Sequence, residues 1–173
     1  RRLDEDARLL EAEGVALLWA PNAAVMYPEG HTSSVHVGGV SEPLEGACRP
    51  GHFDGVATIV AKLFNQVRPD VALFGEKDYE QLAVIRRMVL DLDIPIRIVG
   101  VPTEREADGL ALSSRNVYLS ESERISARAM PRALAGAAEA IRAGRDIQEA
   151  LQMARGELEE AGFDPVEYVE LRD

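Results

Sequence analysis

The chain has 173 residues, of which 46% are hydrophobic, and this allows one domain with a buried core, or one domain and part of a second. Its net charge of −11, from 19 Lys and Arg against 30 Asp and Glu, argues against a general nucleic-acid-binding protein, because such proteins carry a basic surface. The single cysteine, Cys48, excludes an intrachain disulfide and fits a reducing compartment. No apolar stretch approaches the length of a membrane span, so we expect no membrane partner.

Helical and extended patterns alternate through the first hundred residues. Helices are predicted at residues 3–13, 53–67 and 79–92, and strands at 15–20, 71–74 and 96–101. An irregular connection rich in Gly and Pro is expected at residues 22–51, with an extended excursion at 31–40. This order predicts an α/β fold in which helices cover both faces of a parallel sheet.

Two of these helices have an apolar face. In the helix at 79–92, the residues expected to point inward are Leu82, Ile85 and Val89. In the helix at 53–67, they are Val56, Ile59, Val60, Leu63 and Val67.

The composition changes after residue 103, where we place a domain boundary between residues 1–103 and 104–173. Residues 103–116 are charged and small with little periodicity. Ser120 and Glu123 are spaced as a capping box, which predicts a helix start, and Pro131 is expected to interrupt that helix. Further elements are predicted as helices at 131–143 and 147–161 and a final strand at 166–171.

The segment from Val71 to Gln81, VALFGEKDYEQ, is the strongest candidate for a binding site. An apolar strand ends at Gly75, and charged residues follow before a helical pattern begins near Tyr79. Open α/β sheets bind ligands at such strand-to-helix turns, where the helix N-terminus attracts anions and Lys77 adds a cation. A nucleoside triphosphate site is therefore one interpretation, and an ordinary solvated turn is the other.

Two further charged clusters have both a functional and a plain interpretation. The sequence SSRN at residues 113–116 could hold phosphates through the arginine fork, or it could be a polar turn. The acidic residues 4–6 could hold Mg²⁺, or they could stabilise a helix N-terminus. His31, His36 and His52 are not at metal-ligand spacing.

The motif FGEKDYEQ, followed by GVPTEREADGLALSSRNVYLS and preceded by CRPGHFDGVATIVAKLFNQVRPD, resembles the pantoate–β-alanine ligase family from residue 1 to residue 173. The resemblance implies a Rossmann-like nucleotidyltransferase parallel sheet followed by a small α+β C-terminal domain. It also implies a cytoplasmic homodimer that uses Mg²⁺ and ATP to join pantoate to β-alanine. Pantoate would first be adenylated with loss of pyrophosphate, and β-alanine would then displace AMP.

The same resemblance implies roles for individual residues. The expected ATP-binding residues are Gly75, Glu76, Lys77, Asp78, Glu104 (through its backbone), Leu112, Ser113, Ser114 and Arg115. Of these, Lys77, Ser113, Ser114 and Arg115 are the expected catalytic residues. Gln81 matches a glutamine that binds pantoate, and Asp6 with Glu5 matches the position associated with Mg²⁺. Arg49 and His52 match a segment near the mouth of the active site, without an assigned role.

Some parts of the family pattern do not occur in this sequence. These are the opening strand, the HxGH-type motif, a second pantoate-binding glutamine and the last C-terminal segment. We therefore expect an internal fragment that is not competent for adenylation alone. The alternatives are another enzyme of the nucleotidyltransferase superfamily, or a nucleotide-binding fragment without catalysis.

Overall fold

The structure is a computed structural model that describes residues 3–172, and the chain divides after Ser34 into two compact units. The first unit contains helices α1 (Leu3–Ala12) and α2 (Ala23–Met26). The second unit contains α3 (Leu44–Cys48), α4 (His52–Val67), β1 (Val71–Gly75), α5 (Tyr79–Asp91), β2 (Arg97–Val101), α6 (Glu121–Ala127), α7 (Ala129–Arg142) and α8 (Ile147–Glu160). Short 3-10 turns occupy Glu76–Asp78 and Ser114–Tyr118.

The prediction for residues 15–29 is wrong in two respects. Residues 15–20 form no strand, since they have no hydrogen-bonded strand partner within residues 3–172. The predicted loop at 22–29 contains α2, which begins because the Asn22 side chain accepts the N–H of Val25 at 2.9 Å.

The parallel sheet of the second unit consists of β1 and β2, which pair in register from Val71 with Arg97 to Gly75 with Val101. The crossover between them is α5, as expected for parallel neighbours. Ala72 and Phe74 pack against the core, whereas Leu73 on the opposite face of β1 is 66% exposed. Burial of both sheet faces, as the sequence predicted, is therefore not found in the described part of the chain.

The core beneath the sheet lies between α4 and α5. Leu82, Ile85 and Val89 are buried, which confirms the predicted inner face of α5. The predicted inner face of α4 is confirmed only in part, through Val56 and Val60, which pack against the core. The helix buries a stripe of Phe53, Ala57, Thr58, Ala61 and Phe64, and the predicted Val67 is 50% exposed. The alanines allow the closest helix contact, so larger aliphatic residues such as Val56 and Val60 lie at its edge.

A second apolar cluster joins α7 and α8 through small side chains. Its buried residues are Ala129, Ala133, Ala137, Ala150, Ala154 and Leu158. The capping box of Ser120 and Glu123 is confirmed. Helix α7 begins two residues before Pro131, because a proline in the first helical turn needs no hydrogen-bonded N–H.

The predicted final strand at 166–171 is wrong, since residues 163–172 form no ladder with any described strand. The predicted domain boundary near residue 103 stays a prediction; the two apolar clusters lie on opposite sides of it. Among residues 3–172, no helix is long and apolar enough to cross a membrane.

Candidate active site

Lys77 lies on a turn that the sheet and its core hold in place. β1 ends at Gly75, the 3-10 turn Glu76–Asp78 follows, and α5 begins immediately after it. Gly75 has extended dihedral angles and open space where a side chain would stand, so a ligand can approach its backbone closely. Leu82, which has no exposed surface, anchors the first turn of α5 behind Lys77.

Gly100 in β2 makes room for Glu76, a relationship that the sequence analysis missed. A Cβ atom at Gly100 would stand 2.8 Å from Glu76 Oε1 and 3.1 Å from Leu82 Cδ2. The Glu76 side chain therefore lies over the end of β2. A glycine inside a strand often marks such a close approach, and this was the available signal.

Arg115 comes to the same site from a different segment, which is more regular than predicted. Residues 104–112 fold back as a hairpin, with an antiparallel bridge between Arg105 and Ala111. The Leu112 N–H donates to the Glu104 carbonyl at 2.9 Å, so the Glu104 backbone already takes part in this hairpin. The Ser113 hydroxyl then accepts a hydrogen bond from the Arg115 N–H at 3.2 Å and caps the start of the 3-10 turn.

Charged side chains tie this hairpin to α6. Asn116 Nδ2 donates to the Ala111 carbonyl at 3.1 Å and to Glu106 Oε1 at 3.3 Å, while Arg124 forms an ion pair with Glu106. Asp108 contacts Arg124 at 3.2 Å and Arg128 at 2.9 Å. We call Glu106, Asp108, Asn116, Arg124 and Arg128 the clip. The hydrogen bond from Arg124, followed by that from Asn116, lowers the pKa of Glu106.

The two segments line one open cleft of about 500 Å³ in the second unit. Its lining residues are Leu44, Glu45, Arg49, His52, Phe53, Lys77, Asp78, Tyr79, Glu80, Gln81, Arg115 and Tyr168. The lining thus includes three cations, Lys77, Arg115 and Arg49, and the amide of Gln81. An anionic ligand with a hydrogen-bonding group fits such a cleft.

The residues predicted for the site divide into three groups. Those that line the cleft are Lys77, Asp78, Gln81, Arg115, Arg49 and His52. A second group does not line the cleft but is adjacent in sequence to lining residues or belongs to the hairpin: Gly75, Glu76, Glu104, Leu112, Ser113 and Ser114. Glu5 and Asp6 belong to the first unit, in the first turn of α1. Their ligand-binding roles stay predictions.

Tyr168 and Glu80 line the cleft but were not singled out in the sequence. Partial burial, and then the negative charges of Glu45 and Glu80, raises the pKa of the Tyr168 hydroxyl. This hydroxyl is therefore protonated at neutral pH and can donate a hydrogen bond. Tyr168 is far from the GEKD segment in sequence, so only the folded chain brings it to the site.

Cys48, at the end of α3, has the character of an unreactive thiol. Partial burial and the nearby charges of Glu167 and Glu45 raise its pKa. A thiol is a nucleophile only as the thiolate, so this environment disfavours the reactive form of the exposed Cys48.

A sequence profile described as Pantoate-beta-alanine ligase matches residues 1–173. The chain belongs to the pantoate-beta-alanine ligase family. It is 62% identical over 173 residues to a pantothenate synthetase of Rhizorhabdus wittichii, covering 100% of this chain and 61% of that protein. It is 57% identical over 173 residues to the pantothenate synthetase of Paramagnetospirillum magneticum, again covering 61% of the relative. The chain thus spans about three fifths of the length of these members of the family.

Solved structures of the family have the same fold. The crystal structure of pantothenate synthetase from Thermus thermophilus superposes with a TM-score of 0.88 at 52% identity, covering 94% of this chain and 59% of that one. A pantoate-beta-alanine ligase from Francisella tularensis, complexed with beta-gamma ATP and β-alanine, superposes with a TM-score of 0.79 at 31% identity, with the same coverage. The family relationship confirms the expected nucleotidyltransferase-like α/β fold.

Proposed function

We propose that the protein containing this chain joins pantoate to β-alanine with ATP, through a pantoyl-adenylate intermediate. The observation that carries the proposal is the convergence of Lys77, Arg115 and Gln81 on one cleft, in a chain that belongs to this family throughout its length. The ligands of the Francisella tularensis relative, beta-gamma ATP and β-alanine, support two of the three substrates.

In the first step, a carboxylate oxygen of pantoate attacks the α-phosphorus of ATP. The bond between the α-phosphorus and its bridging oxygen breaks, and pyrophosphate leaves with the electron pair. Negative charge therefore builds up on the leaving group, and catalysis consists of positioning and of stabilising this charge. Lys77 and Arg115 supply positive charge from different segments of the cleft, while Gln81 orients pantoate by hydrogen bonding.

The backbone around these cations serves the nucleotide. The backbone at Gly75–Asp78 and at the Ser113–Ser114 turn binds the phosphates, and Leu112 belongs to the same phosphate-binding segment. The backbone of Glu104 contacts the adenine.

In the second step, the amine of β-alanine attacks the acyl carbon, the bond to AMP breaks, and the amine proton passes to solvent. Residues 103–116 close over the intermediate and exclude water, which would otherwise hydrolyse it.

Magnesium belongs to the reaction because it accompanies ATP and neutralises phosphate charge. Within residues 3–172, no group of three or more His, Cys, Asp or Glu side chains could hold a metal ion by itself. Mg²⁺ bound with ATP needs only one or two protein carboxylates, so the role of Glu5 and Asp6 stays a prediction. Glu5 and Asp6 lie in the first turn of α1, where negative side chains stabilise a helix N-terminus. We derive no step through these two residues.

The proposals of a homodimer and of a cytoplasmic location rest on the family resemblance.

The test is pantoate-dependent pyrophosphate release by the intact gene product with Mg-ATP, after its mass has been checked. Release that requires pantoate, with AMP formed only when β-alanine is added, is the expected result. Release with a different acid in place of pantoate would keep the nucleotidyltransferase chemistry and overturn the substrate assignment. If ATP binds without turnover of any acid, the protein is a nucleotide-binding module and the ligase proposal fails.

A further inference from the structure

Glu80, the second residue of α5, connects the Lys77 side of the cleft to α3. Its Oε2 atom accepts the backbone N–H of Glu45 at 3.0 Å, across 35 positions of sequence. The first N–H groups of a helix have no partner within the helix, and the N-cap residue Pro43 makes no side-chain hydrogen bond. Glu80 therefore caps α3 from a different element.

The side chain of Glu45 in turn binds Arg49. Its Oε1 atom accepts from Arg49 Nη1 at 2.8 Å, one helical turn further on. Arg49 is the residue that ends α3 and lines the cleft. Glu80, Glu45 and Arg49 thus form a chain of bonds that orients a guanidinium group in the cleft.

The second oxygen of Glu80 makes no hydrogen bond within residues 3–172 that would add to stability. Oε1 is buried and has no hydrogen-bond partner among the described residues. A buried acceptor without a partner destabilises a fold, and a glutamine would keep the Oε2-type acceptor without the buried charge. A role in positioning accounts for the bond at Oε2.

The chemistry of the substrates indicates what Arg49 meets. The carboxylate of pantoate is consumed at the α-phosphorus, and Lys77 and Arg115 are occupied by the phosphates. The carboxylate of β-alanine stays unreacted and negative through both steps, so it needs a cation of its own. An arginine carries five N–H donors, and one bond to Glu45 leaves donors that match a carboxylate.

We propose that Arg49 binds the unreacted carboxylate of the amino-acid substrate, and that Glu80 is the positioning residue that holds Arg49 in place through Glu45. This inference rests on the proposed function. It assigns Glu80 no contact with any substrate.

The test measures KM for β-alanine, ATP and pantoate in the intact gene product. Arg49→Ala should raise KM for β-alanine roughly 30-fold, because a charged pair is lost, and Glu80→Ala roughly fivefold, because one orienting hydrogen bond is lost. KM for ATP and pantoate should stay within about twofold. Glu80→Gln keeps the acceptor and should restore the wild-type KM. Asp91→Ala, which removes an exposed carboxylate from the other end of the same helix, is the control.

Two further variants separate positioning from loss of structure. Glu45→Ala keeps the N–H bonded to Glu80 but removes the partner of Arg49, so it should resemble Glu80→Ala even if the latter folds poorly. Glu80→Ala in an Arg49→Ala background should add nothing, because both act through the same contact. Additive effects, equal changes in all three KM values, or no rescue by Glu80→Gln would overturn the inference.

Failure of this inference is distinguishable from failure of the ligase proposal. Pantoate-dependent exchange of pyrophosphate into ATP needs no β-alanine. A wild-type protein without this exchange contradicts the proposed function. Normal exchange together with an unchanged KM for β-alanine in Arg49→Ala contradicts only the role of Arg49 and Glu80.

Discussion

Lys77 and Arg115 face the same cleft, but the segments that carry them are built from different interactions. The Lys77 turn is continuous with β1 and rests on the buried side chains of α5, such as Leu82 and Ile85. The Arg115 turn is attached through a hairpin to the clip, whose charged side chains are partly exposed. Apolar burial contributes more than partly exposed ion pairs, whose individual contributions are typically below about 1 kcal/mol.

This contrast separates a rigid side of the cleft from an adjustable one. Local openings involve segments with few buried apolar contacts, and the hairpin at residues 104–112 fits that description. Under the proposed function this segment closes over an intermediate and later releases product, and low local stability suits such a motion. The Lys77 turn, which the proposed function assigns to the phosphates, benefits from a fixed position.

Removing the cations should have the largest effect. Lys77→Ala should lower pantoate-dependent pyrophosphate exchange about 100- to 1000-fold, because preorganised charge at the leaving group is lost while the core beneath stays packed. Exchange kinetics and thermal unfolding, measured together, check this. Arg142→Ala, which removes an exposed cation at the end of α7, should change neither. An unchanged exchange rate in Lys77→Ala would remove that residue from the mechanism.

Loosening the adjustable side should have an intermediate effect. Asn116→Ala removes the hydrogen bonds to Ala111 and Glu106, so Arg115 should be less well placed and exchange should fall roughly tenfold. Global stability should change little, and limited proteolysis should cut near residues 104–112 more rapidly. Asn65→Ala, which removes a similar amide-to-carbonyl bond on α4, is the matched control. Equal losses in both variants would mean that the clip has no special connection to activity.

Acidification should give the smallest and most selective effect. The clip holds the pKa of Glu106 below its ordinary value of 4.5, first through the hydrogen bond from Arg124, and so the clip favours the ionised carboxylate. This stabilisation is present in full above that ordinary value and is lost as the pH falls through the lower pKa of the folded state. Proteolysis near residues 104–112 should therefore increase in acid before the Lys77 side unfolds.

Glu106→Gln provides the comparison for the acid experiment. It should make proteolysis of the hairpin faster at neutral pH and less dependent on pH, because one of the two titrating carboxylates of the clip is gone. The other is Asp108, whose pKa is lowered first by the hydrogen bond from the Leu110 N–H, so part of the pH dependence should remain. The control is Glu149→Gln, which removes the carboxylate that pairs with Arg145 at the start of α8. It should leave the pH dependence of the hairpin unchanged. If the full acid dependence survives in Glu106→Gln, the hairpin is held by something other than this carboxylate.

The sequence predicted most of the elements that surround the site. Periodicity located α4, α5 and β2 within one or two residues, since their patterns agree with both local propensity and burial. It failed for the strands at 15–20 and 166–171, because a strand depends on a partner that local sequence does not specify. It also missed the buried alanines of α4, while Val56 and Val60 of the predicted face lie at the edge of the core.

The sequence by itself determined the chemistry that is available: a strand that ends at Gly75, the cation Lys77 at a helix start, and the SSRN turn. Motifs of this kind are local, so they can be read without the fold. Only the tertiary structure placed Lys77, Arg115 and Tyr168 around one cleft, and only it connected Glu80 to Arg49 through Glu45. Such contacts depend on how helices and hairpins pack across tens of residues, and a single sequence carries no local signal for that packing.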